Sequence, residues 1–247
     1  MTDMVLNVVL GLLTSAIGAA LGWLAQSLRR RRRLERTRAF FGLPRDSECL
    51  IVVNRSVGTG SSDSTVTRRD AFALMELAGL VKECGAQIAL VAHDSVEPGL
   101  GRKTELCVGG PVSNERMAVH LPRALPGLTI TSGPKPEANT LTVGGETYVH
   151  GGASETYALV ARFVTATEAR HPVFLVCGLT GVANHAGVRY LANHHRTWAR
   201  KYGTDSTFAI VLRVVNPKDY GPDQVEFVAD VTAAATARPP VRTAVAP

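Results

Sequence analysis

The sequence lacks the short motifs by which most nucleotide-binding proteins and hydrolases are recognised. It has no G-x-x-x-x-G-K-[ST] segment anywhere and no G-x-G-x-x-G after its first predicted strand. A G-x-S-x-G elbow, an H-E-x-x-H pair and a D-x-D pair of acids are also absent. A dinucleotide dehydrogenase and a P-loop nucleotidase are therefore disfavoured, and an enzymatic function has no motif to support it.

Cysteine is sparse and widely spaced, which argues against a metal site. The four cysteines, Cys49, Cys84, Cys107 and Cys177, form no C-x-x-C or C-x-x-H pair, so a zinc site is not expected. Three of them stand in or beside apolar, strand-like runs, where a reduced cysteine serves as a small hydrophobic side chain. This usage fits a reducing compartment, and the sequence names no cofactor.

Charged side chains are missing from residues 4–25, and this absence predicts a membrane anchor. About 20 apolar residues cross a bilayer as a helix, and arginines follow this run at once, just after Trp23. By the positive-inside rule the arginines stay in the cytoplasm. We therefore expect a single-pass protein of the cell membrane, with residues 1–27 as the transmembrane anchor and the C-terminal domain in the cytoplasm.

Two alternatives compete with the anchor. A cleaved signal peptide normally carries a basic n-region, whereas the residues before the apolar run contain Asp3 and no Lys or Arg. A buried core helix normally shows one apolar face, whereas this run is apolar on every face. Gly18 and Gly22 form a G-x-x-x-G match, a pattern through which membrane helices associate, so a homo-oligomer is one hypothesis.

The excess of positive charge is confined to the segment after the apolar run. The formal net charge is +6 at pH 7, and seven arginines fall between Arg29 and Arg38. Without that stretch the chain is close to neutral, so nucleic acid is not expected as a partner. Residues 28–47 are interpreted as a basic juxtamembrane linker beside the lipid bilayer. The five arginines from Arg29 to Arg33 either set topology alone or also contact anionic lipid head groups.

Residues 48–232 are predicted to form one α/β domain of Rossmann-like type, with a mostly parallel sheet. The apolar runs at 49–53 and 87–91 enclose a predicted helix at 68–84, which starts with a capping box at Thr67. Strands that are apolar on both faces, joined by a helix, are typical of a parallel sheet covered by helices.

The later part of the chain adds antiparallel structure. Alternating residues on either side of Gly144 and Gly145 predict a β-hairpin. The Ala-, Pro- and Thr-rich residues 233–247 are predicted to be a disordered tail. Further strands are predicted at 105–108, 157–164, 172–177, 207–214 and 225–231.

Three glycine-bearing turns, at 58–62, 109–114 and 178–181, follow predicted strands. In open parallel sheets ligands bind beyond the carboxyl ends of the strands, and a following helix offers unpaired N–H groups to phosphate or carboxylate. The alternative is that each is an ordinary tight turn with Ser or Asn as a helix cap. The predicted ligand-binding residues are Asn54, Gly109, Gly110, Ser113, Asn114, Gly178, Thr180, Gly181, Asn184 and His185.

Candidates for catalysis are few. Cys177 ends a predicted strand beside a helix N-terminus, where the pKa of a thiol can fall, although a buried inert cysteine is the simpler interpretation. His185 lies near the start of the same helix, where it could act as a general base or as a polar contact. A hydrolase or transferase would use Cys177 or His185 with Asp94 or Glu155.

Three segments resemble a pattern that recurs in prokaryotic proteins, some of them tethered to membranes. They are residues 109–114, residues 157–162, and residues 176–181 followed by Gly187-x-x-Tyr190-Leu. The resemblance extends over about half the chain, whose Ala-, Arg- and Val-rich composition is similar to that of actinobacterial proteins. The resemblance implies a tethered Rossmann-like domain and carries no activity.

These observations lead to three hypotheses. The first is a membrane-anchored cytoplasmic sensor domain that binds a nucleotide-like or other anionic small molecule. The second is the hydrolase or transferase described above. The third is an oligomeric membrane scaffold or effector that is gated by the soluble domain.

Overall fold

A single long helix opens the chain. The computed structural model describes residues 2–54, 66–94, 102–133, 135, 138–164 and 170–238, and helix α1 spans Thr2–Phe41. Within Leu10–Phe41, an 18-residue window has a mean hydropathy of 1.3 and no buried residue. The helix is therefore long and apolar enough to cross a membrane. Its exposure separates it from a core helix, whereas a signal sequence shares its length and composition.

The last turn of α1 enters the core of the domain. Phe40, Phe41 and Leu43 are fully buried, and the rings of Phe40 and Phe208 stack with their centroids 6.2 Å apart. The segment 28–47, interpreted above as a linker, thus contributes three side chains to the core. Helix α1 and the domain are therefore joined by packing as well as by the chain.

Arg162 fixes the C-terminal end of α1. Its side chain is fully buried, and its guanidinium carbon lies 4.8 Å from the ring centroid of Phe40 and 5.1 Å from that of Phe208. Nε and Nη2 donate to the carbonyl of Ser206 at 3.0 and 2.7 Å, and Nη1 donates to the carbonyl of Phe40 at 3.5 Å. Burial lowers the pKa of Arg162 to about 10. The cation stabilises the negative end of the helix dipole.

The rest of the chain alternates strands and helices. Most bounds agree with the predicted ones within a few residues. The elements in chain order are β1 Glu48–Val53, α2 Arg68–Glu83, β2 Gln87–Ala92, β3 Thr104–Val108, α3 Glu115–Ala124, β4 Leu128–Thr131, β5 Thr140–Val143, β6 Glu146–Val149, β7 Glu155–Val164, β8 Pro172–Gly178, α4 Gly181–Tyr202, β9 Phe208–Val215, β10 Val225–Asp230 and α5 Thr232–Thr236.

Within the described residues, seven strands form the central sheet in the order β10-β9-β7-β8-β3-β1-β2. The pairs β1 with β2, β1 with β3 and β3 with β8 are parallel. Strands β7 and β10 run against their neighbours, so β9 again points in the direction of β8. The predicted α/β fold with a mostly parallel sheet and an antiparallel part is confirmed at this level. Its Rossmann-like type stays a prediction.

The predicted hairpin belongs to a separate sheet. β5 and β6 pair antiparallel around Gly144 and Gly145, as expected, and β4 pairs with the other edge of β5. Leu141 and Val143 of β5 turn inward and are buried. They pack against the central sheet together with α3 and α5. The opposite face of the central sheet carries α2, α4 and the end of α1.

The C-terminal end is more ordered than predicted. Residues 233–236, assigned above to a disordered tail, lie in α5, where Ala235 is fully buried. Gly127 N donates to the carbonyl of Ala235 at 2.8 Å. The short alanine-rich helix therefore packs into the core, which its composition alone did not predict. Residues 239–247 lie outside the described residues.

Candidate functional site

The parallel strands bring two of the predicted site residues into direct contact. Asn54 follows β1 and Gly109 follows β3, its neighbour in the sheet. Gly109 has φ +114°, and a β-carbon there would lie 1.9 Å from Oδ1 of Asn54. Glycine is therefore required both by the backbone and by the amide packed against it.

Asn54 stands at the topological switch point of the sheet. The chain leaves β1 for β2 on one side and later returns to β3 on the other, the arrangement beyond which open sheets bind ligands. Oδ1 of Asn54 is buried and has no hydrogen-bond partner among the described residues. The first predicted turn, residues 58–62, lies outside the described residues.

The second predicted turn forms the cap of α3. Asn114 is fully buried; its Oδ1 accepts from Met117 N at 3.0 Å, and its Nδ2 donates to the carbonyl of Val108 at 2.9 Å. Ser113 Oγ donates back to the carbonyl of Gly110 at 3.3 Å. These contacts occupy the side chains within the turn, as the alternative interpretation of a helix cap requires.

The third predicted turn closes a buried network between α2 and α4. Gly178 N donates to Oδ1 of Asn184 at 2.7 Å, and Nδ2 of Asn184 donates to Oδ1 of Asp70 at 3.2 Å. The other carboxylate oxygen of Asp70 accepts from Thr67 Oγ1 at 2.8 Å. A β-carbon on Gly178 would lie 2.5 Å from Asn184 N. Asn184 and Gly178 therefore hold the start of α4 against the sheet.

Thr180 and Gly181 open onto a cleft at the N-terminus of α4. Thr180 caps the helix, since its Oγ1 accepts from Ala183 N at 3.3 Å. The cleft has a volume of about 460 Å³, and its walls include Arg69 of α2, His150 after β6 and Lys218 after β9. No acidic residue lies in the first turn of α4. The helix therefore presents its positive end to the cleft.

Two cations flank that helix end. Arg69 and Lys218 are exposed, and neither takes part in an ion pair within the described part of the chain. A β-carbon on Gly181 would lie 3.6 Å from Cβ and 3.8 Å from Cδ of Arg69, so the arginine side chain crosses the first turn of α4. Backbone N–H groups and unpaired cations around one cleft are a recurring arrangement for binding an anion.

A second part of the cleft is more aromatic. It has a volume of about 590 Å³ and shares Arg69 and Lys218 with the first part. The ring of Phe72, 48% exposed, stacks on the imidazole of His185 with the centroids 6.0 Å apart. His185 Nε2 lies 3.1 Å from Oε1 of Glu76. The contact with Glu76 and the stacking hold His185 as a wall of the cleft.

Besides Arg69 and Lys218, the charged side chains of this second part form ion pairs, with the exception of one arginine. Arg189 lies 3.8 Å from Glu76 and forms a short ion pair with Asp223. Arg68 also lines this part and has no ion-pair partner within the described segments. The surplus of positive charge in the whole cleft therefore comes from Arg68, Arg69 and Lys218.

The structure argues against Cys177 as a catalytic residue. Cys177 is fully buried, and burial raises the pKa of its thiol to about 12, so the proximity of α4 does not activate it. Asp94 follows β2, three strands away from β8 and thus about 14 Å distant. Glu155 pairs with Arg213 at 3.6 Å. Among the described residues, no group of three or more His, Cys, Asp or Glu side chains is arranged to hold a metal ion.

Of the ten predicted site residues, only Thr180, Gly181 and His185 line the cleft. Sequence reasoning missed Arg69, Phe72 and Lys218, although the capping box at the start of α2 contains Arg69. Comparison of the chain with protein-family models, with curated proteins and with solved structures found no match. Function therefore has to be inferred from the cleft and from α1.

Proposed function

We propose that the protein is a membrane-anchored cytoplasmic domain that binds a nucleotide-like anionic small molecule at the N-terminus of α4. One observation carries this proposal: Arg69 and Lys218 flank Gly181 without a partner acid among the described residues. Exposed cations that lack counter-ions attract anions, and the free N–H groups of a 22-residue helix add a directional contact.

The aromatic part of the cleft favours a nucleotide over a bare phosphate. Phe72 lies one turn after Arg69 in α2, and His185 lies one turn after Gly181 in α4. A phosphate at Gly181 would therefore sit about 5.4 Å, one helical turn, from a ring on which a base could stack. Stacking on an exposed aromatic side chain suits any base, because every base has a π-face.

The anchor and the side of the membrane are part of the proposal. The exposed apolar part of α1 would span the bilayer, and the arginines that follow would remain in the cytoplasm. The switch point between β1 and β3 supports a Rossmann-like sheet. The carboxyl edge of this sheet would be the edge opposite the last turn of α1, which contacts Thr104 at the start of β3. A reporter fused to the C-terminus that is active only in the cytoplasm should be active; activity of a periplasm-specific reporter instead would overturn this orientation.

A sensor function rests on the two ends of α4. The N-terminal end lines the cleft, and near the other end His195 Nε2 lies 3.1 Å from Thr37 Oγ1 of α1. One helix thus contacts both the proposed ligand and α1, and a packed element of this kind can carry coupling between sites.

The test is a binding screen on the full chain in detergent. ATP, GTP, a cyclic dinucleotide, a sugar phosphate and inorganic phosphate are each titrated, with thermal unfolding and calorimetry as readouts. We expect at least one nucleotide to bind at micromolar concentration and inorganic phosphate to bind more weakly. Failure of every compound to bind would overturn the proposal.

A further inference from the structure

A second cleft lies where α1 leaves the domain. It has a volume of about 780 Å³ and runs between α1, the end of α2 and the C-terminal half of α4. It shares no residue with the cleft at the N-terminus of α4. Its walls on the α1 side include Gly22 and Ala25, and further along the same helix Arg29, Arg30 and Arg33.

The charge of this cleft comes from two separate elements. Arg29, Arg30 and Arg33 belong to the basic run of α1, whereas Arg196 projects from α4 of the folded domain. All four are exposed, and none is in an ion pair with another described residue. Glu83 at the end of α2 is the acidic residue of the lining. The cleft therefore carries four positive charges against one negative charge, and one of the four belongs to the folded domain and not to the basic run of α1.

The cleft is apolar at one end and basic at the other, which matches the acyl chains and the phosphate of a phospholipid. From Gly22 to Arg33, 11 helical steps span about 16 Å. The end toward the apolar run has small side chains, and a β-carbon on Gly22 would meet nothing within 4 Å. The end toward the domain is basic. A lipid can place its acyl chains beside Gly22 and Ala25 and its phosphate among the arginines.

We propose that this cleft binds the head group of an anionic phospholipid, and that Arg196 joins the α1 arginines in holding it. This binding site goes beyond the proposed function, because it needs no soluble ligand and lies at the other side of the domain. A lipid is favoured over a free phosphate because the cleft continues along α1 into its apolar, exposed part. The bound lipid would fix the orientation of the domain on the membrane surface.

The test uses the full chain in nanodiscs that contain equal amounts of phosphatidylglycerol and phosphatidylcholine. Lipids that remain bound after release are counted by native mass spectrometry. We expect phosphatidylglycerol to be enriched, and Arg196→Ala to reduce the enrichment by up to about fivefold, the effect of one basic residue near an anionic surface. Glu83→Gln should increase it.

The matched control is Arg200→Ala, which removes an exposed arginine one turn further along α4 that does not line the cleft. It should leave the enrichment unchanged, and thermal unfolding should show all three variants to be folded. Equal enrichment in the wild type and in Arg196→Ala would overturn the proposal, because the lipid would then be held by α1 alone. Displacement of the lipid by soluble glycerol phosphate would also overturn it.

Discussion

The side chain of Arg69 lies across Gly181, the first residue of α4, with van der Waals space for a β-carbon between them. This relationship joins α2 to α4 at the point where the helix exposes its free N–H groups. It also makes residue 181 the position where the charge of the cleft can be changed with least disturbance of the fold.

Replacing Gly181 by aspartate should change stability and binding in opposite directions. A carboxylate in the first turn interacts favourably with the helix dipole, so Gly181→Asp should raise the unfolding temperature. The same carboxylate would repel an anionic ligand and neutralise Arg69, so nucleotide binding should fall by at least about tenfold. Thermal unfolding and calorimetry measure the two effects. Gly181→Asn, which is neutral and of equal size, should retain most of the binding; equal losses in both variants would contradict an electrostatic cause.

The aromatic part of the cleft should give selectivity for a nucleotide over inorganic phosphate. Phe72→Ala should weaken the binding of ATP by about 1–3 kcal/mol, the range for loss of base stacking, and leave the binding of inorganic phosphate unchanged. Met75→Ala is the control, because Met75 is 69% exposed on the same helix and does not line the cleft. A similar loss of ATP binding in both variants would point to a general effect on α2.

Asn114 is predicted to act on folding rather than on binding. Asn114→Ala removes the cap of α3 and leaves the carbonyl of Val108 without its amide donor, so it should lower the free energy of unfolding by about 2 kcal/mol. Ser113→Ala, in the same turn, should have a much smaller effect. Chemical denaturation measures both. Loss of nucleotide binding in Asn114→Ala at unchanged stability would show that this turn belongs to the ligand site.

The secondary structure and the fold class were accessible from the sequence, because periodicity and caps are local signals. The capping box at Thr67 and the turn at Gly144 and Gly145 each lie where they were predicted. The site could be predicted only in part. Asn114 and Asn184 have the polarity expected of ligand-binding residues, yet their side-chain amides form buried hydrogen bonds within the protein. Arg69 and Lys218 are far apart in the chain, and only the packing of α2 and β9 around α4 brings them together.

The contact between His195 and α1 predicts a dependence of stability on pH. Burial lowers the pKa of His195 below its ordinary value of 6.5, and its Nδ1 donates to the carbonyl of Ala192 at 2.6 Å. The unfolded chain therefore takes up a proton at a higher pH than the folded protein. Its contribution to stability is complete above pH 6.5 and is lost as the pH falls toward the lowered pKa.

His195→Gln removes this titration and keeps a side chain that can form hydrogen bonds. Between about pH 8 and about pH 5.5, the unfolding temperature of the wild type should fall more than that of the variant. His194→Gln is the neighbouring control, because His194 is only partly buried and its ring stacks on Tyr190. An equal fall in the wild type and His195→Gln would contradict the assignment.

The most direct measurement of the central claim is calorimetric titration of the full chain with the tightest nucleotide from the screen, compared among the wild type, Arg69→Ala, Lys218→Ala and Arg200→Ala. Each of the first two substitutions removes a charge-assisted contact worth about 1.5–3 kcal/mol, so Kd should rise by about ten- to a hundredfold. Arg200→Ala should bind like the wild type. Unchanged affinity in both Arg69→Ala and Lys218→Ala would contradict the account and place the ligand away from the N-terminus of α4.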